Sequence, residues 1–260
     1  MRLTLRAVPN VSEGRDRATL DAIGRAFTEG GGAELLDVHA DPDHARAVFT
    51  LEGEPGRLAE AVLAGAREAV ARIDLRDHAG VHPRVGALDV APVVFGTPAE
   101  RGPACAEALV LADLLGREGL PVYLYGLLAG GRTRAELRRP GALHGLVPDF
   151  GPREPHATAG VVLVAARPPL VAFNLWLAPG APVRELAARV RDTVPGVKAL
   201  GVDLTGQGAT QVSTNVEDVR PGVLREVLDA VGAENVTRAE LVGLAPEEAW
   251  AGFPEHLYPG

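Results

Sequence analysis

Leu3, Leu5 and Ala7 stand at alternate positions among polar neighbours over 2–9, which predicts a strand with one buried face. Pro-Asn-Val-Ser-Glu-Gly over 9–14 predicts a loop. From about residue 16 the period lengthens: Leu20, Ile23, Ala26 and Phe27 share a helical face, and the glycines at 30–32 stop the helix. Strands are expected over 34–38 and 46–51, joined by a polar turn over 39–45. A helix over 55–73 begins with Pro55 and carries Leu58, Val62, Ala66 and Val70 on one side. An apolar, β-branched strand over 87–94 follows, completing β-α-β-β-α-β, the ferredoxin-like order.

A helix over 99–118 and strands over 121–125 and 161–165 come next, around a Gly-, Arg- and Pro-rich excursion over 127–156 with one short helix. The first pattern then recurs. Strands are expected over 170–177, 198–204 and 210–216, helices over 183–193 and 222–231, and an apolar run over 241–244 closes the set. Gly206-Gln207-Gly208 reads as a hairpin turn. The halves share no residue-level identity, so the repeat is architectural. The fold class expected is α+β: two fused ferredoxin-like subdomains with a ligand groove between them. The linker at 178–182 sets the boundary, giving subdomains 1–179 and 180–260.

Composition narrows the function. The chain has 260 residues, 47% of them hydrophobic and 23% charged, which suits a globular protein. It has no apolar run long enough to span a bilayer and no signal-peptide core, so a cytoplasmic location and no membrane partner are expected. A single cysteine, Cys105, excludes an internal disulfide; its apolar helical setting predicts packing rather than reactivity. The net charge of −8, with no basic tract, argues against nucleic acid. An anionic small substrate would need a local arginine cluster working against that global charge. No GxGxxG, phosphate loop, GxSxG or paired-cysteine spacing points to a nucleotide cofactor or a zinc site.

The chemistry-bearing residues gather in a few stretches. Asp77, His78, His82, Arg84 and Asp89 lie in a Gly/Pro-rich loop over 74–86 and the start of the next strand. The proline after His82 restricts its backbone, its imidazole can take and return a proton near neutrality, and Arg84 can hold an anion beside it. A loop histidine bonded to a carbonyl is the plain alternative. Asp37, His39, Asp41, Asp43 and His44 form a second stretch, open to three readings: a solvated turn, a metal site, or carboxylates that orient a catalytic imidazole. Asn10, Asn174 and the alternating Gln211, Ser213 and Asn215 are amides or hydroxyls at strand positions, directed either at neighbouring backbone or at a ligand.

A family resemblance enters on these residues. Val8-Pro9-Asn10-Val11-Ser12-Glu13-Gly14, Leu36-Asp37-Val38, Asp43-His44-Ala45-Arg46 and His82-Pro83-Arg84-Val85-Gly86-Ala87-Leu88-Asp89 resemble glutamate formiminotransferases. So do Pro121-Val122-Tyr123-Leu124-Tyr125-Gly126, Pro148-Asp149-Phe150-Gly151-Pro152, Arg167 with Leu170 to Asn174, Gln211 to Asn215 and Glu240-Leu241-Val242-Gly243-Leu244. The match runs in order over nearly the whole chain. Departures are Ala45 where relatives often carry Asn, Leu127 for Glu, Ala165 for Gly, and Trp176 for a polar residue. The cyclodeaminase domain fused to some relatives is not expected.

The resemblance implies formimino transfer from N-formimino-L-glutamate to tetrahydrofolate as co-substrate, in histidine degradation, without a metal. It implies His82 as the catalytic base; Asp37 and His39 are expected beside it on the residues' own chemistry. Folate would meet Gly160, Val161, Val162, Leu163, Val164, Ala165, Ala166, Arg167, Pro168 and Pro169. Asn10, Asp41, Arg46, Arg84, Gly86, Tyr125, Asn174, Gln211 and Asn215 complete the expected substrate contacts. Exposed sheet edges predict a homodimer. The alternatives are glutamate formyl transfer to the same folate, a non-catalytic folate or amino-acid binding module, and a metal-dependent hydrolase using Asp37, His39, Asp41 and His44.

Overall fold

The computed structural model describes residues 3–78, 84–204 and 209–258, in two compact units, 1–168 and 169–260. In the first unit, β1 (Leu5–Ala7) and β2 (Asn10–Val11) interrupt each other at Pro9 but pair with the same two neighbours. The expected loop over 9–14 therefore contains two strand residues. Helix α1 (Arg17–Glu29) starts at Asp16, whose carboxylate accepts from Ala18 N, and buries Leu20, Ile23 and Phe27. Strand β3 (Ala33–Asp41) runs three residues beyond its expected end, because Val38 to Asp41 keep pairing with β4 (Arg46–Gly53). Polar content disguised those residues as turn.

Helix α2 (Leu58–Arg72), β5 (Leu88–Val94), α3 (Pro98–Arg117), β6 (Val122–Leu124), the short α4 (Arg134–Leu137) and β7 (Val162–Arg167) complete the unit. Its strands form one mixed sheet: β3, β4, the β1/β2 pair, β5, β7, β6. The pairings from β3 as far as β5 are antiparallel, while β7 runs parallel to both β5 and β6. Helices α1 to α3 contribute Phe27, Leu58, Val62, Leu111 and Leu115 to the core with Phe49, Leu51 and Leu88. The opposite side of β5, β6 and β7 packs Val90, Tyr123, Tyr125, Leu163 and Ala165 against Leu137, Leu143 and Leu146 of the long excursion. Burial on both sides explains why 161–166 reads as a continuous apolar run rather than an alternating one.

The second unit holds β8 (Val171–Leu177), α5 (Val183–Thr193), β9 (Val197–Leu204), β10 (Ala209–Val216), α6 (Val223–Val231) and β11 (Val236–Val242). The sheet is antiparallel in the order β11, β8, β10, β9. Phe173, Leu175, Val212 and Val216 meet Leu186, Val190, Leu224 and Val227 of the two helices, and Phe173 packs edge-on to Trp250 and Phe253. The break between units falls at 168/169, ahead of the expected 179/180. The reason is β8: its whole length pairs with β10 and β11, so it cannot belong with the first sheet. The turn expected at 206–208 lies outside the described residues.

Both units are therefore α+β, with mixed or antiparallel sheets and helices packed on them. Among the described residues, no helix is long and apolar enough to cross a membrane.

Candidate functional site

Three loops meet at one end of the first sheet. In the β2–α1 loop, Ser12 N donates to Ala87 O at 2.8 Å and Ser12 Oγ to Gly86 O at 2.7 Å. Glu13 Oε1 accepts from the backbone N–H groups of Gly14, Arg15 and Asp16, so its carboxylate holds the loop closed at the helix entrance. Gly14 lies so close to the β3–β4 turn that a Cβ there would sit 2.2 Å from Asp41 O. Gly86 is equally confined, with a Cβ landing 2.0 Å from Val161 O. The glycines of both quoted motifs thus permit backbone contact, which explains their place in the pattern.

The β3–β4 turn is built on Asp41. Its Oδ1 accepts from Asp43 N and His44 N at 2.9 Å each, and its Oδ2 meets His44 Nδ1 at 2.5 Å. Asp41 and His44 are both buried. Burial alone would raise the Asp41 pKa; the bonds from the His44 ring and backbone outweigh it and hold the carboxyl at about 2. The sequence admitted Asp41 as support for His82, but the structure engages both its oxygens within its own turn.

Arginines collect beside this turn. Arg46 pairs across the strands with Asp41, and burial lowers its pKa while Asp41 and Asp89 oppose that effect. Arg134 and Arg138 are near enough to repel it. Asp89, almost fully buried, accepts from Val85 N at 2.7 Å and forms an ion pair with Arg138. Arg84 lies 3.3 Å from His78 Nε2 and also senses Asp89. Tyr125 is buried, its hydroxyl has no partner among the described residues, and Arg134 stands 6.0 Å from its ring. In a chain of net charge −8, this is a local cationic island.

Several expected residues have other placements. His82 lies outside the described residues, although His78 and Arg84 on either side of that segment contact each other. Asp37 and His39 are half-buried on β3, and Asp37 Oδ2 has no partner among the described residues. Asn10 turns its Nδ2 to Val8 O at 3.0 Å. Val161 to Ala166 are buried, so their side chains fill the core; only the ends of that strand, Gly160 and Arg167 to Pro169, reach its rim. Gly160 has φ +68 and bridges to Gly86. Arg167 donates to Pro168 O at 3.0 Å. Among the described residues no group of three or more His, Cys, Asp or Glu side chains could hold a metal.

In the second unit, Asn174 and Gln211 do converge. Both donate to Glu240 Oε2, at 3.1 and 3.0 Å, and Trp176 Nε1 adds a third bond at 3.1 Å. Asn215 stands four residues beyond Gln211 on β10, opposite Ala172.

The match to known proteins follows this layout. Residues 4–167 fit the model of the formiminotransferase domain, N-terminal subdomain. The chain belongs to the formiminotransferase family. A glutamate formimidoyltransferase of Streptococcus pyogenes is 33% identical over 96% of this chain and 91% of its own length. Its counterpart from Thermoplasma acidophilum is 32% identical, over 93% of this chain and 88% of its own. The rat formimidoyltransferase-cyclodeaminase is 34% identical over 93% of this chain, which spans about half of that longer protein. Beside the expected residues the structure brings in three to which sequence reading gave no role: Arg134, Arg138 and Glu240. The first two lay in an excursion noted for its Gly, Arg and Pro content, and Glu240 stood just ahead of the apolar run expected over 241–244.

Proposed function

We propose that this chain transfers the formimino group of N-formimino-L-glutamate to tetrahydrofolate, releasing L-glutamate and 5-formiminotetrahydrofolate, as a step of histidine breakdown in the cytoplasm. The observation that carries the reading is the island of Arg46, Arg84, Arg134 and Arg138 beside Asp41 and Asp89. A donor with two carboxylates needs such a patch, and planar guanidinium groups suit bidentate carboxylate binding. Family membership and the name of the streptococcal relative support the same assignment. In both units the β-α-β-β-α-β order and the matching strand neighbours support two ferredoxin-like subdomains, one per unit.

In this reading N5 of the reduced pterin attacks the formimino carbon. The N5–carbon bond forms, and in the tetrahedral adduct the bond from that carbon to the glutamate nitrogen breaks. His82 takes the proton from N5 and returns it to the departing nitrogen, a role worth roughly 10²–10⁴ in rate. Asp37 and His39 stabilise the cationic adduct, and the rim of β7 receives folate. No metal takes part, and the active species is a homodimer.

The test is turnover with tetrahydrofolate and either N-formimino- or N-formyl-glutamate. The expected result is faster transfer from the formimino donor, unchanged by EDTA, and a loss of at least about 100-fold in His82→Ala. Faster transfer from the formyl donor, or retained activity in His82→Ala, would overturn it. Sedimentation checks the dimer.

A further inference from the structure

Strand β5 is apolar along its whole length except at Asp89, and Asp89 is 2% exposed. Its two oxygens reach two different parts of the cationic island. Oδ1 accepts from Val85 N at 2.7 Å, next to Arg84, and Oδ2 accepts from Arg138 Nη2, at the end of α4. Burial lowers the pKa of Arg46 and of Arg84, and the charge of Asp89 opposes it at both. Stability alone is a weak reason for such a pair, because replacing a buried ion pair by well-packed apolar residues is often neutral. The pair is also incomplete. An arginine presents Nε–H and an Nη–H along one edge, the fork that matches a carboxylate. Arg138 gives Nη2 to Asp89, while its Nε is buried and has no hydrogen-bond partner among the described residues. The second oxygen of Asp89 is turned to Val85 instead.

We propose that Asp89 is a positioning residue: it holds Arg138 so that the open Nε–H meets a carboxylate of the glutamate donor. The inference rests on the donor reading above. A guanidinium N–H only donates and its charge is permanent, so its missing partner is an acceptor, best an anion. That excludes the cationic formimino group and favours a substrate carboxylate over the neutral pterin. Arg134 stands one helical turn before Arg138 on α4 and shares its face, so the same anchor places both guanidinium groups.

The test is steady-state transfer with each substrate varied in turn. Asp89→Asn keeps the size of the side chain and, through its carbonyl oxygen, the bond from Val85; it removes the charge that holds Arg138. It should raise the KM for N-formimino-L-glutamate at least about tenfold, with kcat and the KM for tetrahydrofolate within about threefold of wild type. Arg138→Gln should do the same. In Asp89→Asn/Arg138→Gln the donor KM should stay within about twofold of that of Arg138→Gln alone, because nothing is left to position. The double variant leaves neither charge of the pair buried without its partner, so it carries the comparison even where Asp89→Asn fails to fold. A wild-type donor KM in Asp89→Asn, or a double variant whose donor KM rises a further fivefold or more, about what an independent route would add, overturns the inference. So does a fall in kcat with both KM values raised, the mark of a role in folding alone. A rise confined to tetrahydrofolate overturns the donor assignment, since the glutamate tail of folate would then supply the carboxylate. Wild-type protein without transfer from either donor defeats the donor reading itself.

Discussion

Asp41 ties its own ionisation to stability. Its pKa of about 2, against an ordinary 3.8, means that the folded state favours the charged form. The stabilisation is complete above about pH 4 and disappears as pH falls towards 2, because the unfolded chain takes up the proton first. A shift of this size corresponds to about 2 kcal/mol. Asp41→Asn should lower stability at neutral pH and flatten the acid limb between about pH 4 and pH 2, as read from urea unfolding at a series of pH values. Ala45, next in the same turn, has φ +47, a conformation that an L side chain tolerates poorly. Asn, common there in the proteins this sequence resembles, tolerates it better. Ala45→Gly should raise stability by about 0.5–1 kcal/mol in thermal melts, the relief of strain exceeding the added chain entropy.

At the level of elements, helix α2 has no cap of its own: Arg57 at its start offers no side-chain acceptor. The acceptor comes from α3. Glu107 is buried, and its two oxygens accept from Gly56 N at 2.6 Å and Ala59 N at 2.7 Å. Negative charge at a helix start also complements the dipole. Glu107→Ala should cost about 2–3 kcal/mol in urea unfolding, since it strands two N–H groups and leaves a small void. Gly86 presents a different constraint. The nearest neighbours of an added Cβ are the carbonyl oxygens of Val161 and Leu88, which belong to backbone and cannot swing aside. Gly86→Ala should cost about 3 kcal/mol or more, visible as a large fall in melting temperature.

On the scale of the whole molecule, each unit closes its own core around its own sheet. Residues 169–260, expressed alone, should unfold in one cooperative transition with the fluorescence of Trp176 and Trp250 changing together. A broad, non-cooperative melt would show that this sheet needs the rest of the chain. The position of the break follows from pairing, since a strand belongs to the sheet that satisfies its backbone groups.

The order of elements was present in the sequence because apolar periods of 2 and 3.6 reflect burial on one face, and the glycine motifs because close backbone contact admits no side chain. The arginine requirement was also legible, from the mismatch between an acidic chain and an anionic substrate. What sequence could not give was which polar residues meet. Asp41 could as well have faced His82 as His44, and Arg138 reaches Asp89 across 49 positions of chain. Glu240 stood in a half-strand whose polar residues hid its period. Its significance comes from register alone, which sets it opposite Asn174 while Gln211 stands opposite Trp176. Hydrogen bonds and charge pairs depend on distances of a few ångströms between remote segments, and only the packed sheets fix those.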